Sequence, residues 1–232
     1  MSAGRPGDPV IDLSFWRQWQ AEILPARPLI LPPRHFVYPR EAEEVERGAL
    51  ELLVRPLATR DGTVSERALK GHDFSRAESS PQEGRALAPA ANLSRETDQP
   101  FLATCALGFR DAAVPTGIWS CPAAEELCAV SGGYAYIICT TAPERFTMIE
   151  YRPVLQLLPV PAENLLLFVG HHSILAWGAN GQAWQSEKLS DEGLTITSIE
   201  PGILHGQGWQ MRTDKESPFA LDLQTGLLLP PA

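Results

Sequence analysis

The sequence predicts a mainly β protein, built as an antiparallel meander or a β-sandwich with a short N-terminal helix. Three observations carry this. From residue 101 onward the chain is a succession of short β-branched or aromatic segments, among them PFLATCALGF, YAYIICT, RFTMI, LQLLPV, LLLFVG, SILAWG, QAWQ, LTITSI, ILHGQGW and FALDLQTG. Gly, Pro, Asn and Asp divide them, as turn residues divide strands. The spaces between are too short for the repeated helices that a parallel βαβ sheet requires.

The elements follow in chain order. In SFWRQWQAEIL, Ser14 is placed to cap a helix over 14–24, and Phe15, Trp19 and Ile23 recur every four residues as one apolar face ended by Pro25. That face either packs on the chain's own sheet or forms a partner surface of Phe15 and Trp19. PARPLILPPRHFVYPR, with five prolines, reads as an extended arm that either straps the domain or enters a partner's groove. EAEEVERG suggests a short polar helix, and the strand over 49–55 is expected to pair with 101–109. Residues 58–100 have scattered charge and weak apolar periodicity, the pattern of a mobile insertion. The organisation is therefore an N-terminal region over 1–57, an insertion over 58–100 and a β-rich repeat domain over 101–232. The first and last of these are expected to pack as one unit.

An internal correspondence runs through the last region. CAVSGGYAYIICTTAPERF lies beside LFVGHHSILAWGANGQAW with Gly132 aligned to Gly170, each reading as strand, turn, strand, turn and aromatic-bearing strand. ILHGQGW with FALDLQTG forms a partial further copy, and PFLATCALGF with GIWSC a degenerate earlier one. In ALDLQTG, residues 220–226, Asp222 and Thr225 are spaced to tie a turn through local side-chain bonds. This segment resembles the ALDxxTG turn of quinoprotein-type β-propeller repeats. The resemblance covers the last third to half of the chain; it implies propeller-like architecture and carries no cofactor residues. A blade takes about 40 residues and a ring at least about four blades. The repeats start only at Cys128, so an incomplete propeller-like sheet fits the length better than a closed ring.

Composition limits the function classes. The formal charge is −9, with six basic against thirteen acidic residues over 101–232, which opposes nucleic-acid backbones and anionic membranes. No apolar run approaches the roughly 20 residues that cross a bilayer, and MSAGRPGDPV does not start a secretory signal, so the cytoplasm is the expected location. Cys105, Cys121, Cys128 and Cys139 have no close pair resembling a zinc knuckle and read as free thiols. No cofactor or metal is expected.

Candidate chemistry centres on the turns. Asn180-Gly181 predicts a type I′ hairpin turn, which places Leu175 and Trp177 on one face of a strand and Ile174 and Ala176 on the other. His171 and His172 lie in the preceding turn and His205 in another hairpin. With Trp177, Trp184 and Trp209 they make a candidate binding site, with Asp191 or Asp214 as a possible orienter. The chain lacks a G-x-S-x-G elbow, a phosphate loop, a Rossmann fingerprint and H-E-x2-H. The expected function is therefore a noncatalytic protein-interaction or structural role, with an unidentified protein as partner. The alternative is a small-ligand binder or hydrolase-like enzyme with a pocket between hairpins.

Overall fold

A computed structural model describes residues 8–40, 48–57 and 99–230. The chain is mainly β, with strands β1 (Val10–Asp12), β2 (Trp19–Leu24), β3 (His35–Tyr38), β4 (Ala49–Pro56) and β5 (Phe101–Ala106). There follow β6 (Gly117–Ser120), β7 (Glu126–Ser131), β8 (Tyr134–Cys139), β9 (Phe146–Met148) and β10 (Gln156–Val160). The last six are β11 (Leu165–Val169), β12 (Ile174–Gly178), β13 (Gly181–Gln185), β14 (Leu194–Glu200), β15 (Ile203–Gln210) and β16 (Lys215–Asp222).

They form four open sheets. The first has the order β2-β4-β5-β3, the second β1-β6-β7-β8-β9, the third β10-β11-β12-β13 and the fourth β14-β15-β16. Pairing is antiparallel except for β1 with β6 and β3 with β5.

The sheets stack in series, because each inner sheet buries both faces. Leu50, Leu52 and Val54 of β4 meet Leu127 and Ala129 of β7 and Tyr136 and Ile138 of β8 in one core between the first and second sheets. The opposite residues of the second sheet, Cys128, Val130, Ala135 and Ile137, pack with Leu166, Phe168, Leu175 and Trp177. Ile174, Ala176, Leu165 and Leu167 then turn to Leu204, Leu221 and Leu223 of the fourth sheet and its final turn. Strand alternation thus divides β12 between two cores, as the spacing of Leu175 and Trp177 against Ile174 and Ala176 predicts.

Indole donors join neighbouring sheets. Trp19 Nε1 donates to the Glu126 carbonyl at 3.0 Å and Trp177 Nε1 to Glu126 Oε2 at 2.8 Å. Trp184 Nε1 donates to the Leu223 carbonyl at 2.8 Å. Each tryptophan buries a large apolar body and satisfies its one polar atom across a sheet interface.

The two ends of the stack are finished differently. The proline-rich arm crosses from the end of β2 to the start of β3 over the outer face of the first sheet, where Leu102 and Thr104 are fully buried. On the fourth sheet the outward positions of β15 carry His205, Gln207 and Trp209, all half-buried, beside exposed Glu200 and Glu216. Among the described residues no apolar core joins the first sheet to the fourth.

Several sequence expectations are corrected. No helix spans 14–24; Trp19–Leu24 is β2, paired antiparallel to β4 from Trp19↔Pro56 to Leu24↔Glu51. Residues 15, 19 and 23 share one face at a period of two as well as at 3.6, so their spacing alone does not separate helix from strand. Phe15 and Trp19 are consequently not a partner surface: they are 7% and 1% exposed, while Trp16 between them is 73% exposed. PFLATCALGF and GIWSC do not form one repeat, since β5 belongs to the first sheet and β6 to the second.

The Asn180-Gly181 turn is also shifted. Gly178 pairs with Gly181, so Ala179 and Asn180 form the loop, and only Gly181, at φ +104°, is left-handed. The turn with two positive φ values joins β7 to β8 at Gly132 and Gly133, at +56° and +74°. The strand over 49–55 does pair with the strand that opens at Phe101, through Ala49↔Ala106 to Val54↔Phe101. The polar helix over EAEEVERG, except Gly48, and the insertion over 58–100, except Gln99 and Pro100, lie outside the described residues.

Candidate functional site

The six residues of the candidate pocket occupy four places. His171 and His172 sit in the β11–β12 turn with ring centroids 6.0 Å apart. His172 Nδ1 is 3.2 Å from the Ser190 carbonyl, and the His172 carbonyl accepts from Leu189 N at 2.7 Å. The Tyr151 hydroxyl donates to the Ser173 carbonyl at 2.6 Å and accepts from Ser173 N at 2.8 Å. The Ser190 and Leu189 bonds dock the turn onto the loop that precedes β14, and the Tyr151 bonds tie it to the loop that precedes β10.

The tryptophans point elsewhere. Trp177 belongs to the core between the second and third sheets, and Trp184 to the core between the third and fourth. His205 and Trp209 lie on the outer side of the fourth sheet, where His205 Nε2 is 4.0 Å from Glu200 Oε2 and Trp209 Nε1 donates to Asp214 Oδ1 at 3.3 Å. Asp191 is held by Lys188 Nζ at 2.6 Å and by Met211 N at 2.7 Å. The Lys188 bond, then the Met211 bond, lower its carboxyl below the ordinary aspartate value. The turn histidines come together with each other and not with the tryptophans. No group of three or more metal-ligating side chains occurs among the described residues.

The four thiols are free. Cys105, Cys121 and Cys128 are buried, and burial pushes all three thiols up, so they remain protonated and inert. Cys139 is half-buried and accepts from Arg145 Nη2 at 3.1 Å.

A buried polar cluster that the sequence reading passed over lies on the first sheet. Beneath the proline-rich strap, Glu51 of β4 receives Arg27 Nε on Oε1 at 2.9 Å and the Thr104 hydroxyl on Oε2 at 2.6 Å. His35 Nε2 lies 2.9 Å from the same Thr104 oxygen. Because the single hydroxyl proton of Thr104 goes to Glu51, Thr104 accepts from His35, which fixes the proton on Nε2. Burial, then the charge of Arg27, lowers the His35 pKa, with Glu51 opposing. The sequence signal was present: Glu51 interrupts the apolar run ALELLV, Thr104 is the one polar residue of FLATCA, and a buried carboxylate demands partners.

This cluster anchors one end of the strap through Arg27. At the other end Arg34 Nη1 donates to the Gln99 carbonyl at 2.6 Å, its guanidinium lies 5.8 Å from the Phe101 ring centroid, and its carbonyl accepts from Leu102 N at 3.0 Å. Between the anchors, Leu29, Ile30 and Leu31 are 104%, 89% and 46% exposed. A groove of about 310 Å³ runs beside the strap's exit, bordered by His35, Phe36, Val37, Tyr38, Arg40, Pro143 and Glu144.

Two further clefts border β9. One of about 410 Å³ is lined by Glu125, Glu126, Glu144 and Arg145 among others. Its neighbour, of about 530 Å³, is bordered by Tyr151, Trp177, Gln182 and Gln185. Desolvation raises the Glu126 pKa, opposed by the hydrogen bond from Trp177.

Comparison with known proteins finds no matching family model, no matching curated relative and no matching solved structure.

Proposed function

We propose that this chain is a noncatalytic protein-interaction module, a propeller-like stack of sheets that presents its N-terminal strap to a partner. The observation that carries the reading is the exposure of Leu29, Ile30 and Leu31 between two fixed points, Arg27 on Glu51 and Arg34 on Gln99. An apolar tip held in solvent costs free energy in the isolated chain, and a tip fixed at both ends loses little further entropy on binding. Trp19, Trp177 and Trp184 support the same view, since their packing commits them to holding sheets together. The buried unpaired thiols fit a reducing compartment, and the cytoplasm is the proposed location.

The test is a chain carrying Leu29→Ser, Ile30→Ser and Leu31→Ser. These side chains support no core, so melting temperature and circular dichroism are expected to match the parent. Partners captured from the native host by the parent should be lost by the variant. Equal capture by both proteins overturns the reading.

A second reading rests on Trp177 and Tyr151 at the 530 Å³ cleft between the second and third sheets. It makes the chain a small-ligand binder, and it predicts a ligand-dependent change in indole fluorescence that Trp177→Phe removes.

A further inference from the structure

The strap leads directly into β3, an edge strand of the first sheet, which among the described residues pairs on its β5 side alone. Leu102 N donates to the Arg34 carbonyl, and Phe36 stands opposite Ala103 in the parallel pairing. In a parallel ladder alternate residues bond to the neighbouring strand. Arg34, Phe36 and Tyr38 therefore face β5, while the main-chain N–H and C=O groups of His35 and Val37 point outward. That edge borders the groove of about 310 Å³ whose other wall is Pro143 and Glu144.

Charge at this edge runs against the rest of the protein. The formal charge of the chain is −9, yet residues 23–40 hold Arg34, His35, Arg40 and the Glu51-paired Arg27, and no Asp or Glu. Arg40 Nη2 donates to the main-chain carbonyl of Glu144 at 2.8 Å, a contact that brings no opposite charge. Glu144 supplies the one carboxylate among the described residues bordering the groove. Glu41, Glu43, Glu44 and Glu46, which follow Arg40, lie outside the described residues.

We infer that β3 accepts an extended, acidic segment of a partner protein as an added strand. Main-chain bonds to His35 and Val37 hold the segment, its carboxylates face Arg40 at the groove, and its apolar residues reach toward the Leu29–Leu31 tip. Edge pairing supplies affinity without sequence preference, and the cationic flank supplies the choice of partner. This inference rests on the strap being an interaction surface and assigns the chemistry of what binds there. The strand's short length and the proline that follows it limit the edge to a few residues, enough for a docked segment and too little for open-ended association.

The experiment titrates the full chain with a short synthetic peptide of alternating valine and glutamate, and with its valine–lysine counterpart, by calorimetry at two salt concentrations. The glutamate peptide is expected to bind, more tightly at low salt, and the lysine peptide to bind roughly tenfold more weakly or not at all. Arg40→Glu should weaken the glutamate peptide roughly tenfold. Val37→Pro, which removes an outward donor where an edge strand tolerates proline, should abolish binding. Should Val37→Pro fail to fold, Arg40→Glu decides alone. Equal binding of the two peptides, no binding of either, or insensitivity to Arg40→Glu overturns the inference, as does concentration-dependent dimerisation that excludes the peptide. Loss of native partners in the Leu29–Ile30–Leu31 variant, with no effect of Arg40→Glu, leaves the strap reading standing and removes this one.

Discussion

The indole of Trp184 lies flat against Gly226 and donates its proton to the carbonyl of Leu223, at 2.8 Å. A strand of the third sheet is thereby pinned to the turn that closes the fourth. That turn is itself tied by Asp222, whose Oδ1 accepts from Gln224 N, Thr225 N and the Thr225 hydroxyl. Two constraints meet at Gly226: its φ is +71°, and a Cβ there would lie 2.5 Å from Trp184 Cε3. Gly226→Ala is expected to destabilise the fold by about 2–4 kcal/mol, combining left-handed strain with overpacking. Trp184→Phe, which keeps most of the ring and loses the donor, should cost less, about 1–2 kcal/mol. Chemical denaturation of the two variants checks both the sizes and the order.

The buried carboxylate under the strap gives a second expectation. Thr104→Val is nearly isosteric and leaves Glu51 Oε2 without its donor and His35 Nε2 without its acceptor. A loss of about 2–3 kcal/mol is expected, as for a buried charged group deprived of a partner. Nitrogen NMR of the His35 ring should report the Nε2-protonated tautomer in the parent and lose that preference in the variant.

The same histidine sets a pH dependence. Its pKa in the folded chain is lowered from 6.5, chiefly by burial and then by Arg27. The unfolded chain therefore binds the proton more readily than the folded one. The contribution of His35 to stability is fully present above pH 6.5 and falls away as pH drops from there through the lowered folded value. Comparing denaturation midpoints of the parent and His35→Gln across this range should show a steeper acid loss in the parent. Parallel curves would show that His35 does not titrate with folding.

Thiol chemistry offers a simple check on the stack. Cys105, Cys121 and Cys128 are buried in the two cores that flank the second sheet, and Cys139 is half-buried at the end of β8. An aromatic disulfide reagent should titrate one thiol quickly in the native protein and the other three only on unfolding. Cys139→Ser should remove the fast phase.

Strand identity was largely legible in the sequence because short apolar runs bounded by Gly, Pro, Asn and Asp leave little choice of local structure. The two faces of β12 and the tied turn at Asp222 follow from strand alternation and side-chain bonding, both local properties. The helix expected over 14–24 shows the limit. Residues spaced by four satisfy both periods, and what decides for a strand is the row of partners that β4 offers to β2, from Pro56 back to Glu51.

The sequence by itself determined a mainly β chain with aromatic-rich strands, an N-terminal proline arm and acidic character. Tertiary structure alone decided which strands share a sheet, that the sheets stack in series, and that the candidate histidines and tryptophans fall at separate places. It also brought Arg27, His35, Glu51 and Thr104 together from three strands and a loop. The reason is physical: alternation and turn preference act over a few residues, whereas a buried carboxylate finds its partners across sheet neighbours whose order no local pattern encodes.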